Sequence, residues 1–182
     1  MVLELHAHRG PLVLERVRSG RADVGVCVSD GEDDLAHTPL VLEPMVLLGA
    51  SAAAGEGGEP PADAAPLWTI EPRSLTGEWL ERRLGRLGAR MRPTHRIESF
   101  GAAVQLARAG FGRARVPVGI ARAMGVPPGE CQPVPGLARP IAALHSPASG
   151  GRPELVRSLS ALAAACPAAA LGAAGPTRRS GS

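Results

Sequence analysis

Residues 2–28 read VLELHAHRGPLVLERVRSGRADVGVCV, and their patterning decides the fold class. Val2, Leu3, Leu5 and Ala7 are interspersed with Glu4 and His6 as in a partly buried strand. Gly10-Pro11 then opens a helix, because proline at the first helical position has no amide proton to leave unpaired and its φ is already helical. Leu12, Val13 and Val17 form one apolar stripe and Gly20 stops the helix. Asp23-Val-Gly-Val-Cys-Val28 follows as a nearly continuous apolar strand, the pattern of a parallel strand covered on both faces. Strand, helix, strand is a βαβ unit, so an α/β fold is expected.

The same rhythm runs downstream. The apolar run 40–48 is interrupted by Glu43-Pro44 and predicts a strand at 45–48. Residues 51–66, SAAAGEGGEPPADAAP, have linker composition and mark a lobe boundary. Strands are then expected at 67–70, 92–97, 115–118 and 139–144, and helices at 74–87 and 99–109. Prolines and glycines at 127–129 and 133–136 predict turns. Pro153 opens a last helix with Leu155, Leu159, Leu162 and Cys166 on one face, which Pro167 ends, and residues from Leu171 form a loose tail. Two βα lobes joined by a linker describe a two-lobed binding fold with room for a small ligand between the lobes.

Composition narrows the chemistry. The chain of 182 residues is 45% hydrophobic and 20% charged, enough for one large domain or two small lobes. Its 20 basic residues are all arginine, and lysine, tyrosine and asparagine are absent, which excludes Schiff-base lysine and tyrosine-acid chemistry. Only Trp68, Trp79, Phe100 and Phe111 are aromatic, too few for base-stacking platforms. The net charge of +3 is spread along the chain, and the cluster ERRLGRLGARMR at 81–92 reads as a solvated helix face, so autonomous DNA binding is not expected. Cys27, Cys131 and Cys166 lie far apart without CxxC spacing, which suits a reducing, cytoplasmic setting, and Cys27 reads as core. Residues 1–10 are too polar for a signal peptide, and no apolar run is long enough to span a bilayer. His6, His8, His37, His95 and His145 have no metal-ligand spacing and Gly-x-Ser-x-Gly is absent; no metal, cofactor or catalytic residue is expected, and no enzymatic activity.

Leu3-Glu-Leu5 and the stretch 14–26, with its Gly-x-x-Asp turn before an apolar strand, resemble the effector domain of LysR-type transcriptional regulators. The resemblance continues through Pro39-Leu40 with Glu43, Pro66-Leu-Trp-Thr-Ile70, Ile97-Glu-Ser-Phe100 with Val104, Ala109-Gly-Phe-Gly112, Val116-Pro117, Val134-Pro-Gly136 and Arg139-Pro-Ile141. It covers residues 2–166 and implies a periplasmic-binding-protein-like (type 2) fold. Lobe 1 would comprise residues 1–50 and 147–182, the hinge or linker 51–66, and lobe 2 residues 67–146. Relatives carry a winged helix-turn-helix, then an opening strand and helix of the effector domain, and this chain is expected to start after them as a truncated or mis-started regulator. The absent strand would lie between the two strands of residues 2–28, leaving two apolar edges unpaired or collapsed and the chain prone to association. The implied function is sensing of a small, anionic effector by lobe closure that shifts a homo-oligomer. The alternatives are a transporter solute-binding protein of the same fold, which needs an export signal, a non-functional remnant, or an enzyme on a related fold. Arg113 and Arg115 replace the usual apolar residues of their strand, marking drift or a locally exposed strand.

The resemblance places three loops at the cleft. His8, Arg9 and Gly10 occupy the first, where relatives often carry a hydroxyl-bearing residue after the glycine; the free amides of a helix N-terminus there can still attract an anion. Pro72, Arg73 and Ser74 form the second, and Ser99 and Phe100 lie in the third. Ser74 and Ser99 also fit simple helix caps. Arg73 suits a carboxylate or phosphate through its planar fork, or is an exposed loop charge.

Overall fold

Helix α1 (Gly10–Arg18) starts at Gly10-Pro11 and lays Val17 into the core at 1% exposure. The protein is described by a computed structural model over residues 4–31, 33–49, 66–87, 94–149 and 153–165. Strand β1 (Gly25–Val28) follows α1, but residues 4–9 before the helix form no strand. The expected first strand is therefore not present over its described part, 4–7, and with it the βαβ unit is lost. A strand is stable only when its backbone groups meet a neighbour, and among the described residues β1 pairs with β6 (Gln132–His145) alone, antiparallel. The apolar run at 23–28 thus marks burial by helices rather than parallel pairing.

Six strands make one mixed sheet in the order β1-β6-β2-β5-β3-β4. Strand β2 (Ala36–Leu48) is much longer than the expected 45–48. Glu43-Pro44 does not end it; the ladder with β6 instead shifts register between Pro39 and Val41 and again between Pro44 and Val46, so the prolines are absorbed as irregularities. β6 likewise extends back through Pro133-Val-Pro135-Gly136, where turns are expected. There β6 has β2 on one side only, since β1 reaches no further than Ile141, and an open side is where proline can sit without losing a ladder bond.

The other elements fall close to expectation. They are β3 (Leu67–Ile70), α2 (Leu75–Leu87), β4 (His95–Ile97), α3 (Phe100–Arg108), β5 (Arg113–Pro117) and α5 (Pro153–Ala165). Helix α4 (Val118–Ala123) is unforeseen; at six residues it is too short for a periodic stripe to show. β3 pairs in parallel with β4 and β5, as the βα rhythm predicts. The linker 51–65, Gly88 and the tail from Cys166 lie outside the described residues.

Two halves can be traced through this sheet. In the first, α1 and α5 cover β1 and the adjoining ends of β2 and β6. In the second, α3 and α4 pack on β5 and the end of β2 through Val46, Leu48, Val104 and Val116. Helix α2 covers the opposite face at the junction, where Trp79, Leu80 and Leu84 meet Val28, Met45 and Leu137. Because β2 pairs with β6 along nearly all its length and with β5 on its other side over 45–48, the two halves share continuous strands.

Arg115 corrects the expectation of an exposed strand. It is fully buried in β5 at 0% exposure, opposite Leu47. Burial, helped by the neighbouring Arg113 charge, lowers its pKa to about 10. It remains a cation at neutral pH.

Candidate ligand-binding cleft

The first turn of α2 is the best-defined wall of the cleft between the halves. Ser74 caps this helix: its Oγ accepts from the Gly77 amide at 3.0 Å and donates to the Glu71 carbonyl at 3.1 Å. The amides of Leu75 and Thr76 have no intrahelical acceptor, as in any first helical turn. Opposite stands the start of α1. Gly10 lies so near Leu75 that a Cβ there would meet Leu75 Cδ1 at 2.6 Å, so only glycine lets the two helix starts come together.

Between these starts and the sheet is a cleft of about 550 Å³. Its walls are apolar over Val13, Val26, Val41, Leu75, Val118 and Ile141, and polar at His8, Ser74, Thr76 and Arg122. Glu43 and Arg139 form its floor. They are direct cross-strand partners on β2 and β6, and each side chain is only 17% and 15% exposed. Arg139 donates from Nε to Glu43 Oε2 at 2.8 Å and from Nη1 to Thr76 Oγ1 at 3.1 Å, with its guanidinium 5.7 Å from the Phe100 ring centroid. Glu43 Oε1 accepts from the Gly119 amide at 3.0 Å. A Cβ on Gly119 would sit 2.5 Å from that oxygen, so glycine is what admits the carboxylate. One ion pair thus ties β2, β6, α2 and α4 where the halves meet. Arg122 adds a cation on the α4 wall.

The residues expected at the site are distributed unevenly. His8, Gly10 and Ser74 line the cleft. Arg9 instead bridges the halves, pairing with Glu71 at 3.1 Å and Glu98 at 3.0 Å. Arg73 is exposed in the turn beside Ser74, with Pro72 half-buried next to it, and neither lines the cleft. Ser99 caps α3 by accepting from the Ala102 amide at 3.5 Å. Phe100 is half-buried under Arg139 and packs against the cores of both sheet faces. Glu43, Thr76, Gly119, Arg122 and Arg139 escaped the sequence reading. Glu43 falls outside the strand expected at 45–48, and its pairing with Arg139 depends on a register that only the folded sheet sets.

Cys27 also lines the cleft rather than lying deep in the core. Burial, aided by the Asp33 charge, raises its pKa to about 11, so it is a thiol at neutral pH. Behind β1, three residues that no motif marks come together. Ser29 Oγ lies 3.2 Å from both Asp33 Oδ2 and His37 Nδ1, and His37 Nε2 lies 2.8 Å from Asp33 Oδ1. Asp33 Oδ1 also accepts from the Leu35 amide. Partial burial pushes the Asp33 pKa up, but the Leu35 amide, His37 and Ser29 together outweigh it and hold the carboxyl below its ordinary value. With Ser29 and the Leu35 amide both bonded to Asp33, the ring clasps the turn between β1 and β2. His6 and His8 stack at 6.0 Å, and no cluster of three or more metal-ligating side chains occurs among the described residues.

The mixed sheet with helices on both faces and a cleft at the junction of two halves has the periplasmic-binding-protein-like, type 2 fold, shared with the solved regulatory domains it resembles. The family profile of the LysR substrate binding domain matches residues 1–167, and the chain belongs to that family as an effector-binding domain of a LysR-type regulator. Among solved structures, the reduced regulatory domain of OxyR2 from Vibrio vulnificus is similar at a TM-score of 0.67 and 17% identity, covering 86% of this chain and 77% of that one. The CcmR regulatory domain of Synechocystis in complex with 2-PG gives 0.65 and 17%, covering 86% and 79%. The reduced form of OxyR gives 0.62 and 23%, covering 88% and 79%. No curated protein matches the chain. The family is a substrate-binding domain, the OxyR2 and CcmR neighbours are regulatory domains, and no described helix is long and apolar enough to cross a membrane.

Proposed function

We propose that the cleft binds a small anionic effector and that binding closes the half around α3 and α4 over the half around α1 and α5, hinged on the strands β2 and β6 that they share. The observation that carries this reading is the convergence of Arg122 with the first turn of α2 on one apolar-walled cleft of about 550 Å³. Backbone amides and a guanidinium favour a carboxylate or phosphate, while the valines and Ile141 take an apolar body. The solved complex of CcmR with 2-PG supports the same use of the fold. His8, Gly10 and Ser74 contribute from the cleft walls; Arg73, one residue from Ser74 and exposed, turns in to the anion from the rim, with Pro72, Ser99 and Phe100 shaping its surroundings. Arg9 releases or keeps its two carboxylates as the lobes move. The domain works as a homo-oligomer in the cytoplasm, without catalysing a reaction and without binding DNA by itself.

Thermal-shift screening of small carboxylates and organic phosphates, followed by calorimetry on the best binder, tests the proposal. Arg122→Ala and Arg73→Ala are each expected to weaken the best binder roughly tenfold. Unchanged affinity in Arg73→Ala rejects its role, and the absence of any anionic binder rejects the function.

A further inference from the structure

Two carboxylates leave the second half side by side. β3 and β4 run parallel with Ile70 opposite Ile97, and the Glu71 amide donates to the Ile97 carbonyl at 3.0 Å. Glu71 and Glu98 are the residues that follow these two strands, so they extend from neighbouring strand ends. Like charges so placed repel unless a cation lies between them. Arg9, from the other half, is that cation: its Nη1 donates to Glu71 at 3.1 Å and its Nη2 to Glu98 at 3.0 Å.

Arg9 is fixed at its root. Its carbonyl accepts from the Leu12 and Val13 amides at the start of α1, and α1 lies so near β1 that a Cβ on Gly25 would meet Val13 at 2.6 Å. Parting of the halves therefore draws the guanidinium away from both carboxylates. The floor of the cleft behaves differently, because Glu43 and Arg139 lie on the strands that both halves share and stay paired as the halves turn. Arg82 on α2 adds a second tie across the junction, pairing at 2.8 Å with Asp30 in the turn after β1. Because one guanidinium joins two acids, and Glu71 is only 20% exposed, the Arg9 cluster is screened less than an isolated surface pair.

We propose that Arg9, Glu71 and Glu98 form an ionic latch that holds the two halves together before any ligand enters. The inference rests on the proposed closure of the halves over the cleft and names the contact that biases it. His8 and Gly10, the neighbours of Arg9, line a cleft that is already formed in the latched arrangement, so the latch lowers the cost of closing on a ligand.

Residual dipolar couplings of the backbone amides, measured on the ligand-free chain in a stretched neutral gel, test this through the relative orientation of the halves. In the parent, one alignment tensor is expected to fit both halves as arranged here. Arg9→Gln is expected to raise the open population roughly tenfold, so that each half fits its own tensor while the joint fit is lost. Glu98→Gln, which leaves the Glu71 contact, should do so to a smaller extent. Arg9→Glu combined with Glu98→Arg puts an arginine back between two glutamates and should restore the joint fit. A parent whose halves already need separate tensors overturns the proposal, as does an Arg9→Gln variant that keeps the parental orientation, or a loosening that the charge swap does not reverse. Arg9 and Glu98 are each 69% exposed, so their replacement leaves the cores intact; if Arg9→Gln nevertheless fails to fold, Glu98→Gln and the swap decide. With no ligand in the experiment, failure of the latch is read apart from the anion-binding proposal, which thermal-shift screening judges.

Discussion

The half of the molecule around α3 and α4 and the half around α1 and α5 bury their apolar residues in different ways. In the former, Val46, Leu48, Ala103, Val104, Ala107, Ala114, Val116, Ala121 and Val126 form one continuous cluster. In the latter, the sheet separates two small ones: Val17, Leu35, Ala142 and Leu144 under α1, and Ala143, Leu155 and Leu159 under α5. The first kind is a closed core with a polar edge strand at β4. The second kind is divided and ends at the apolar edge of β1. Stability is therefore expected to be uneven, with the α3/α4 half and the junction under α2 opening last and the α1/α5 half opening first.

The sharpest way to break that contrast is at the junction. Leu80→Ala, at 2% exposure beneath α2, should cost about 3 kcal/mol in urea denaturation, because the surrounding Met45, Trp79 and Leu137 cannot collapse into the space. Leu159→Ala in the small α5 cluster should cost less, about 2 kcal/mol, since a three-residue cluster at the rim relaxes more easily. If the two losses are reversed, the division into a firm and a loose half is wrong. Next comes Arg139→Ala, which leaves Glu43 in the floor of the cleft with only the Gly119 amide; a loss of about 2 kcal/mol is expected, with faster amide exchange in both β2 and α4. Exchange changes confined to one half would show that the pair does not join them.

The smallest effect concerns the clasp behind β1. The Asp33 carboxyl has its pKa lowered on folding, so its contribution to stability is present above the ordinary aspartate value and is lost as pH falls through the lowered folded value. Asp33→Asn should therefore be less stable than the parent at neutral pH, and the gap between their urea midpoints should close on acidification below about pH 4. A gap that persists in acid would place the clasp's contribution elsewhere than in the charge.

How much of this was legible in the sequence depended on the range of the interactions involved. Gly10-Pro11 with Val17, Ser99 with Val104, and Pro153 with Leu155 and Leu159 signal helices through neighbours within a few turns, and those helices are where they were expected. The same reasoning predicted a first strand that residues 4–7 do not form. Alternation at residues 2–7 describes a surface able to pair, while pairing requires a neighbour elsewhere in the chain. It also stopped β2 at Pro44 and β6 at Arg139, because proline reads locally as a breaker and only the open flank or a register shift shows it tolerated. Among the site residues, the capping serines and Gly10 were visible from local chemistry, whereas Glu43 and Arg139, 96 positions apart, met only through the register of β2 against β6.

The sequence by itself carried the class of the protein: the motifs spaced from the Gly-x-x-Asp turn to Val134-Pro-Gly136 resemble those of LysR-type effector domains, the family whose profile matches residues 1–167. Tertiary structure decided which residues face one another: the Glu43–Arg139 floor, the Arg9 bridge between the halves and the burial of Arg115. The physical reason is that helix caps and apolar stripes are set by neighbours along the chain, while strand partners, and the charges they carry into contact, are chosen by the packing of the whole sheet.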